Sequence, residues 1–554
     1  MSRNRVSATD YPVVMRTSHA SLFAVLLGFT ASNACGQATT QPATRTSDDR
    51  PAPAIERVKP DLSQWWQQAV FYQVVVRSFH DSTSGPLAGD GIGDIRGLIE
   101  KLDYLNDGDP KTTTDLGVTA LWLMPITESP SYHGYDPTDL RTVAKAYGTN
   151  QDFKDLVTEC HRRGIHVIVD LVLNQVSSSH PWFQLALRDV QPYADWFVWR
   201  EKDPGFKGPW GQQVWHRARA NGKYYYGLFE PFMPDPNYRS QSLTNEVYDT
   251  TRSWLTDMNA DGFRLDAIRH LIEDGEKQEG TRATHDWLER FNTHVKSVKK
   301  DALTVGEIWA DSDEISRYVG GQMDLAFEFG LAYAIIDAVR DAKPERLAEQ
   351  IALIDRLYPH GMYATFLRNH DLPRTMHELG GSIPKAKLAA AIQFALPGVP
   401  FVYYGEEIGM SATKPDPSIR APMHWSDVKY AGFSDATPWQ PLGPGMATAN
   451  VAAQTGNPDS LLSWYRDLIR FRQRERDFIE SNVVVLKSSH PQVFAFTRGS
   501  ILAVFNLSGE PIAGAGLDQA VYRDVNQSTD LLRNLLLTTT IEPFGVRFIR
   551  LRSP

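Results

Sequence analysis

Four acids stand where a buried strand would end. Asp170 opens Asp170-Leu-Val-Leu-Asn174, Asp266 closes Gly262-Phe-Arg-Leu-Asp266, Glu307 follows Val305-Gly306, and Asp371 closes Phe366-Leu-Arg-Asn-His-Asp371. One such acid alone is ordinarily a solvated charge or a helix cap; four at the same end of their strands point to chemistry. Two carboxyl groups about 5–5.5 Å apart across a glycosidic bond can hydrolyse it with retention, one attacking the anomeric carbon and the other protonating the leaving oxygen. Adjacent parallel strands lie about 4.8 Å apart, so Asp266 and Glu307 can reach that separation. Arg264, two residues before Asp266, shares its face of the strand and would keep it ionised, which favours Asp266 as nucleophile. Glu307 is then the general acid/base, its pKa raised by neighbouring negative charge. Asp371 would steady the oxocarbenium-like charge and bind sugar hydroxyls. Asn369 and His370 stand just before it and Arg374 three residues after it, all counted with the substrate-binding set.

Positioning these ends requires a repeating scaffold. From Trp65 onward, short apolar runs alternate with amphipathic stretches. Strands are predicted at Ala69–Val76, Val118–Met124, Ile165–Leu173, Gly262–Asp266, Thr304–Ile308, Met323–Phe327, Tyr363–Leu367 and Phe401–Tyr404. Helical patterns over Asp152–Arg163, Asn245–Asn259 and Ala386–Ala395 separate some of them. Strands spaced by helices pair in parallel through right-handed crossovers. Eight such units predict an α/β fold, a (β/α)8 TIM barrel over 63–173 and 244–476, whose active site lies at the C-terminal strand ends. An inserted subdomain, rich in Trp, Tyr, Gly and Pro, is expected over 174–243 after strand three, and a C-terminal antiparallel β domain over 477–554.

The 554-residue chain has 42% hydrophobic and 22% charged residues, enough to bury a large core. Its formal net charge of −9 and lack of a basic cluster argue against a nucleic-acid partner. Aromatic residues reach 11%, with 14 Trp and 21 Tyr, material for core packing or for stacking on the apolar faces of sugar rings. Two cysteines, Cys35 and Cys160, support neither a disulfide framework nor a cysteine metal site. The uncharged run Ala20–Ala34 is too short to span a membrane and reads as a signal peptide over 1–35, followed by a low-complexity linker over 36–62. The expected location is therefore exported: periplasmic, extracellular, or lipid-anchored through Cys35 if cleavage exposes it. A monomer is expected.

The runs DLVLN, GFRLDAIRH, GEIW and FLRNHD resemble the four signature regions of the α-amylase family of glycoside hydrolases, family thirteen. VFYQVVVRSF and LWLMPITESPSYHGYDPTD resemble its first two barrel strands, and LPGVPFVYYGEEIGM its eighth. The resemblance spans roughly residues 65–550. It implies Asp266 as nucleophile, Glu307 as proton donor and Asp371 as stabiliser, with Arg264, His370, Asp170 and Tyr135 lining the subsite of the cleaved sugar. His133 is similar to the usual companion of the stacking tyrosine, and Arg269 and His270 would lie toward the leaving group. The substrate implied is an α-glucan or maltooligosaccharide cut at α-1,4 bonds, with no cofactor needed for the chemistry.

Two departures bear on specificity. Gln175 follows Asn174 where the family has His, and it can donate and accept but not titrate. MPDPNY has Pro236 where a group intermediate between oligo-1,6-glucosidases and neopullulanases has Leu, which blurs linkage preference. Glucosidase, oligo-1,6-glucosidase and glucosyltransferase activities, such as trehalose synthase, therefore stay open beside amylase, with a non-catalytic glucan binder as a remote alternative. Structural Ca2+ is also implied. The loop DSTSGPLAGDGIGD resembles an oxygen-rich calcium loop, with Asp81, Asp90, Asp94 and the Ile92 carbonyl as ligands, or else it is a Gly-rich loop capping the next helix. Asn174 is a second ligand by resemblance to calcium-dependent amylases.

Overall fold

The computed structural model describes residues 63–517 and 529–551. The expected signal peptide, the linker up to residue 62 and Cys35 lie outside the described residues. Eight parallel strands form the central sheet: β1 (Phe71–Val74), β2 (Ala120–Leu123), β3 (His166–Leu171), β4 (Gly262–Leu265), β5 (Leu303–Gly306), β6 (Leu325–Ala326), β7 (Ala364–Thr365) and β8 (Val399–Tyr403). The order runs β7-β8-β1-β2-β3-β4-β5-β6. A parallel bridge between Phe327 and Ala364, with Glu328 N–H donating to Ala364 O at 3.1 Å, closes it into a barrel. Every expected strand is present; most are shorter than expected, whereas β5 and β8 begin earlier, at Leu303 and Val399.

Alternation along each strand divides the core. One face of each strand meets the surrounding helices, and the other fills the barrel with Phe71, Trp122, Ile168, Leu303, Val305, Phe327, Phe366 and Phe401. Phe71 and Phe401 stack at 4.2 Å between ring centroids, so the interior is packed. The same inward face continues upward to Gln73 on β1, Asp170 on β3 and Arg264 on β4. Gly262 allows the approach of β4 to β5, since a Cβ there would fall 2.1 Å from Leu303 O.

The helices carry their own start signals. Asn150–Arg162 opens on a reciprocal capping box between Thr149 and Asp152, and Ile383–Ala395 on Ser382 with a proline in its first turn. The helix expected at Asn245 begins earlier, at Gln241, because polar residues can extend an exposed face without adding to the apolar pattern. Between β3 and this helix the chain forms a helix, Pro181–Ala186, and a small antiparallel sheet of Trp199–Arg200, Tyr224–Tyr226 and Trp215–Arg217. Val198, Val214, Trp215, Tyr226 and Leu228 form a separate core there. After the barrel, β9 (Val483–Val485), β10 (Val493–Arg498), β11 (Ile501–Asn506) and β12 (Val546–Arg550) form an antiparallel sheet.

Candidate active site

Register aligns the acids. Leu265 of β4 pairs with Gly306 of β5, so the next residues, Asp266 and Glu307, leave neighbouring strands side by side. Neighbouring strands are about 4.8 Å apart. One buried guanidinium joins the group. Arg264 Nη1 lies 2.7 Å from Asp266 Oδ1 and 2.9 Å from Asp170 Oδ1, while its Nη2 lies 2.9 Å from Glu307 Oε2. The same guanidinium sits over the Trp122 ring at 5.2 Å. Three carboxyls thus share one cation in a nearly water-free setting.

The surroundings of each acid differ. Asp266 Oδ2 accepts from Gln175 Nε2 at 3.3 Å, so Gln175 occupies a donor position beside it. Glu307 Oε1 accepts from Trp309 Nε1 at 2.9 Å, and its Oε2 from Ala267 N–H at 3.1 Å. Ala267 takes a left-handed conformation (φ 46°, ψ 37°), costly for a residue with a Cβ, and this turn aims its N–H at Glu307. Burial pushes Glu307 above its ordinary pKa, reinforced by the Asp266 and Asp371 charges and opposed by Arg264. Burial also raises Asp266, with Arg264 opposing it, and raises Asp170 to about 6.

Asp371 goes the other way. Burial would raise it, but His370 and Arg420 hold it well below the usual carboxylate range. Arg420 Nη2 contacts Asp371 Oδ1 at 2.9 Å and His370 Nε2 contacts Oδ2 at 3.0 Å. Asn369 Oδ1 accepts from the Asp371 N–H at 3.0 Å. With Gln73 Nε2 donating to His370 Nδ1 at 2.7 Å, the neutral ring carries its proton on Nε2. Tyr135 bridges the two halves: its hydroxyl lies 3.0 Å from Asp170 Oδ2 and 2.7 Å from His370 Nε2, and its ring stacks on His370 at 5.6 Å. His133 Nδ1 accepts from Tyr135 N–H at 3.0 Å, and burial pulls this imidazole down to about 3, keeping it neutral.

The structure therefore brings Asp170, Arg264, Asp266, Glu307, His370, Asp371, Tyr135, Gln175 and Asn369 together, with His133 behind Tyr135. Arg269 and His270 stand on the short turn after Asp266. Arg269 bonds Trp309 O at 2.5 Å, and the buried His270 bonds Gln278 O at 3.2 Å. Arg374 stands apart: it donates to Ile419 O and Tyr404 O at 2.9 and 2.7 Å and lies against Tyr403 and Tyr404. Sequence reading missed Arg420, Gln73 and the Trp309 indole. Gln73 and Trp309 carry a signal, since each sits on or just past a strand end; Arg420 lies in a long loop and carries none.

In the Asp81–Asp94 loop, donors of the protein itself reach all three acidic side chains. Asp81 accepts from Gly89 and Gly91 N–H, both at 2.9 Å, and from Ser434. Asp94 caps the helix Ile95–Glu100 through Gly97 N–H at 2.8 Å and accepts twice from Ser82. Asp90 accepts from the Ile92 N–H at 2.8 Å. Each carboxylate thus accepts at least one hydrogen bond from the protein, the arrangement of a Gly-rich capping loop. Asn174 differs: its Oδ1 is buried without a hydrogen-bond partner, and its Nδ2 lies 3.5 Å from the fully buried Asp235 carboxylate. An unused amide oxygen beside a carboxylate suits a hard cation.

The chain is similar to known proteins over most of its length. The model of the α-amylase catalytic domain matches residues 73–481. Alpha-amylase 3 of Dictyoglomus thermophilum is 36% identical over 456 residues, covering 80% of this chain and 85% of that protein. Oligo-1,6-glucosidase of Parageobacillus thermoglucosidasius is 29% identical over 578 residues, covering 88% and 99%. The crystal structure of an α-amylase from H. orenii superposes with a TM-score of 0.76 at 36% identity, covering 87% of this chain and 99% of that one. The chain belongs to the α-amylase family and is a glycoside hydrolase of α-glucosidic bonds.

Proposed function

We propose that the enzyme hydrolyses α-1,4 bonds of starch-like glucans and maltooligosaccharides with retention of configuration. The observation that carries this reading is the sharing of Arg264 by Asp266 and Glu307 at the ends of adjacent strands. Asp266 attacks the anomeric carbon while Glu307 passes its proton to the glycosidic oxygen. The C–O bond breaks and a glycosyl ester of Asp266 remains. Glu307, now ionised, takes a proton from water; the water oxygen bonds to the anomeric carbon, and Asp266 leaves as carboxylate. Asp371, held ionised by Arg420 and His370, stabilises the positive charge of both transition states.

Support for α-1,4 specificity comes from the two 36% identical relatives, both named α-amylase. A second reading, α-1,6 cleavage, is favoured by the oligo-1,6-glucosidase that aligns over 99% of its length. A structural Ca2+ would be held by Asn174 and Asp235, where it would neutralise the buried carboxylate and pin the insertion to the end of β3. The test is incubation with starch, pullulan, maltose, isomaltose and sucrose, with products followed by chromatography and anomeric NMR. Release of α-anomeric maltooligosaccharides from starch is expected. Initial β-anomers would overturn retention, and preferential cleavage of isomaltose or rearrangement of sucrose would overturn the linkage assignment.

A further inference from the structure

At the opposite, N-terminal end of the barrel, three metal-binding side chains converge. His161 lies near the end of the helix Asn150–Arg162, His166 starts β3, and Asp261 immediately precedes β4. His161 Nε2 is 2.7 Å and His166 Nδ1 is 3.6 Å from the same oxygen, Asp261 Oδ2. The ligand atoms of all three lie within 4.8 Å of one another. From Asp261 to Asp266 the chain climbs five residues, about 16 Å at strand rise, so this cluster is separate from the catalytic carboxyls.

We propose that His161, His166 and Asp261 form a binding site for a transition-metal dication of the zinc type. Two imidazoles and one carboxylate are a donor set such ions prefer, whereas calcium and magnesium take oxygen. His166 Nδ1 is buried, and its approach to Asp261 Oδ2 at 3.6 Å is too long for a good hydrogen bond, which leaves its lone pair available to an ion. The surrounding shell orients the donors. Trp65 stacks on the His166 ring at 3.9 Å with an interplanar angle of 15°. Lys299 Nζ holds the other Asp261 oxygen at 2.8 Å, and Val167 N–H donates to Oδ2 at 2.8 Å. The two histidine side chains are 32% and 35% exposed, leaving an entry path and room for a water as fourth ligand.

Zinc bonds of about 2.0–2.2 Å at tetrahedral angles separate ligand atoms by roughly 3.4 Å. The His166–Asp261 spacing already meets this. The His161–Asp261 pair must open by less than 1 Å as the proton between them gives way to the ion. Binding therefore releases a proton and weakens at acid pH. The ion would tie the start of β3, the approach to β4 and one helix together, stabilising the barrel floor by linkage.

The experiment uses untagged full-length protein stripped with chelator, then dialysed against Zn2+ with metal content and melting temperature measured. About one zinc per chain and a melting temperature higher by a few degrees are expected. His161→Gln keeps a hydrogen-bonding side chain beside Asp261, and His166→Phe keeps the stack on Trp65. Each should weaken zinc binding at least ~10-fold while glycosidase activity without added metal stays unchanged. Asp266→Asn should bind zinc as the unaltered protein does, which separates this site from catalysis. Absence of stoichiometric zinc, or undiminished binding in both histidine variants, overturns the proposal.

Discussion

Two buried arginine sites in this molecule differ in everything but depth. Arg264 faces three carboxyl groups at the top of the barrel. Arg472 and Arg498 face backbone oxygens where the barrel meets the C-terminal sheet. Arg472 donates to Phe394 O, Leu396 O and Gly398 O at 2.6, 2.9 and 2.5 Å. Arg498, the last residue of β10, donates to Ala395 O, Ser481 O and Phe478 O at 2.9, 2.7 and 2.7 Å. Phe394 and Ala395 end the helix Ile383–Ala395, whose last carbonyls have no partner within the helix. Burial alone would make Arg264 less basic, but the Asp170, Glu307 and Asp266 carboxylates outweigh it and leave Arg264 more basic than usual. Burial lowers Arg472 to about 10 and, together with the Arg472 charge, Arg498 to about 9. A buried cation among acids organises reactive charge; a buried cation among carbonyls closes a helix and joins two layers.

The largest expected effect lies in the first site. Asp266→Asn should lower the hydrolysis rate by about 10³-fold or more, because the covalent step needs a carboxylate, with melting temperature little changed. Arg264→Met should lower kcat/KM by about 10²-fold or more, since three carboxyls lose their common cation. Steady-state rates on maltooligosaccharides check both, and near-normal activity in either would make the Arg264 network structural.

Arg498→Met should do the reverse. Three buried carbonyls lose donors, each loss costing about 1 kcal/mol or more, so the expected destabilisation is about 3 kcal/mol. Urea unfolding measures it, while kcat/KM at 25 °C should remain within about twofold because no catalytic group is touched. An activity loss without a stability loss would contradict the division of roles.

The smallest effect is a shift of one titration. Asp371 sits below the usual carboxylate range, so it stays ionised as pH falls into the acid region. Arg420→Met removes one of the charges that keep it there, and burial then drives its pKa up. The acid limb of kcat/KM belongs to the nucleophile Asp266, whose pKa burial raises, so it should stay in place, while the Asp371 carboxyl itself, followed by NMR, should titrate at higher pH than in the unaltered protein. An unshifted Asp371 titration would remove Arg420 from the site's electrostatics.

Much of the barrel was legible because strand and helix patterns are local. The eight apolar runs marked the strands, and period-two alternation put Arg264 and Asp266 on one face before any contact was known. Most strands are shorter than expected, because an apolar run continues past the last ladder bond; β8 instead begins two residues before Phe401, at Val399. The Asp81–Asp94 loop was ambiguous since acids alternating with glycines suit both ion binding and capping. Only the fold placed Gly97 N–H and Ser82 against Asp94. Arg374, expected among the sugar-binding residues, instead turns its guanidinium to Ile419 O and Tyr404 O, which no local pattern reveals.

By itself the sequence determined which residues end which strand, and therefore which acids share a rim. Tertiary structure decided their charge states: Arg420 reaches Asp371 from 49 residues away and Gln73 reaches His370 across 297. The reason is that alternation and capping act over a few residues of one element. A pKa instead depends on every charge and dipole within a few ångströms, whichever loop delivers it.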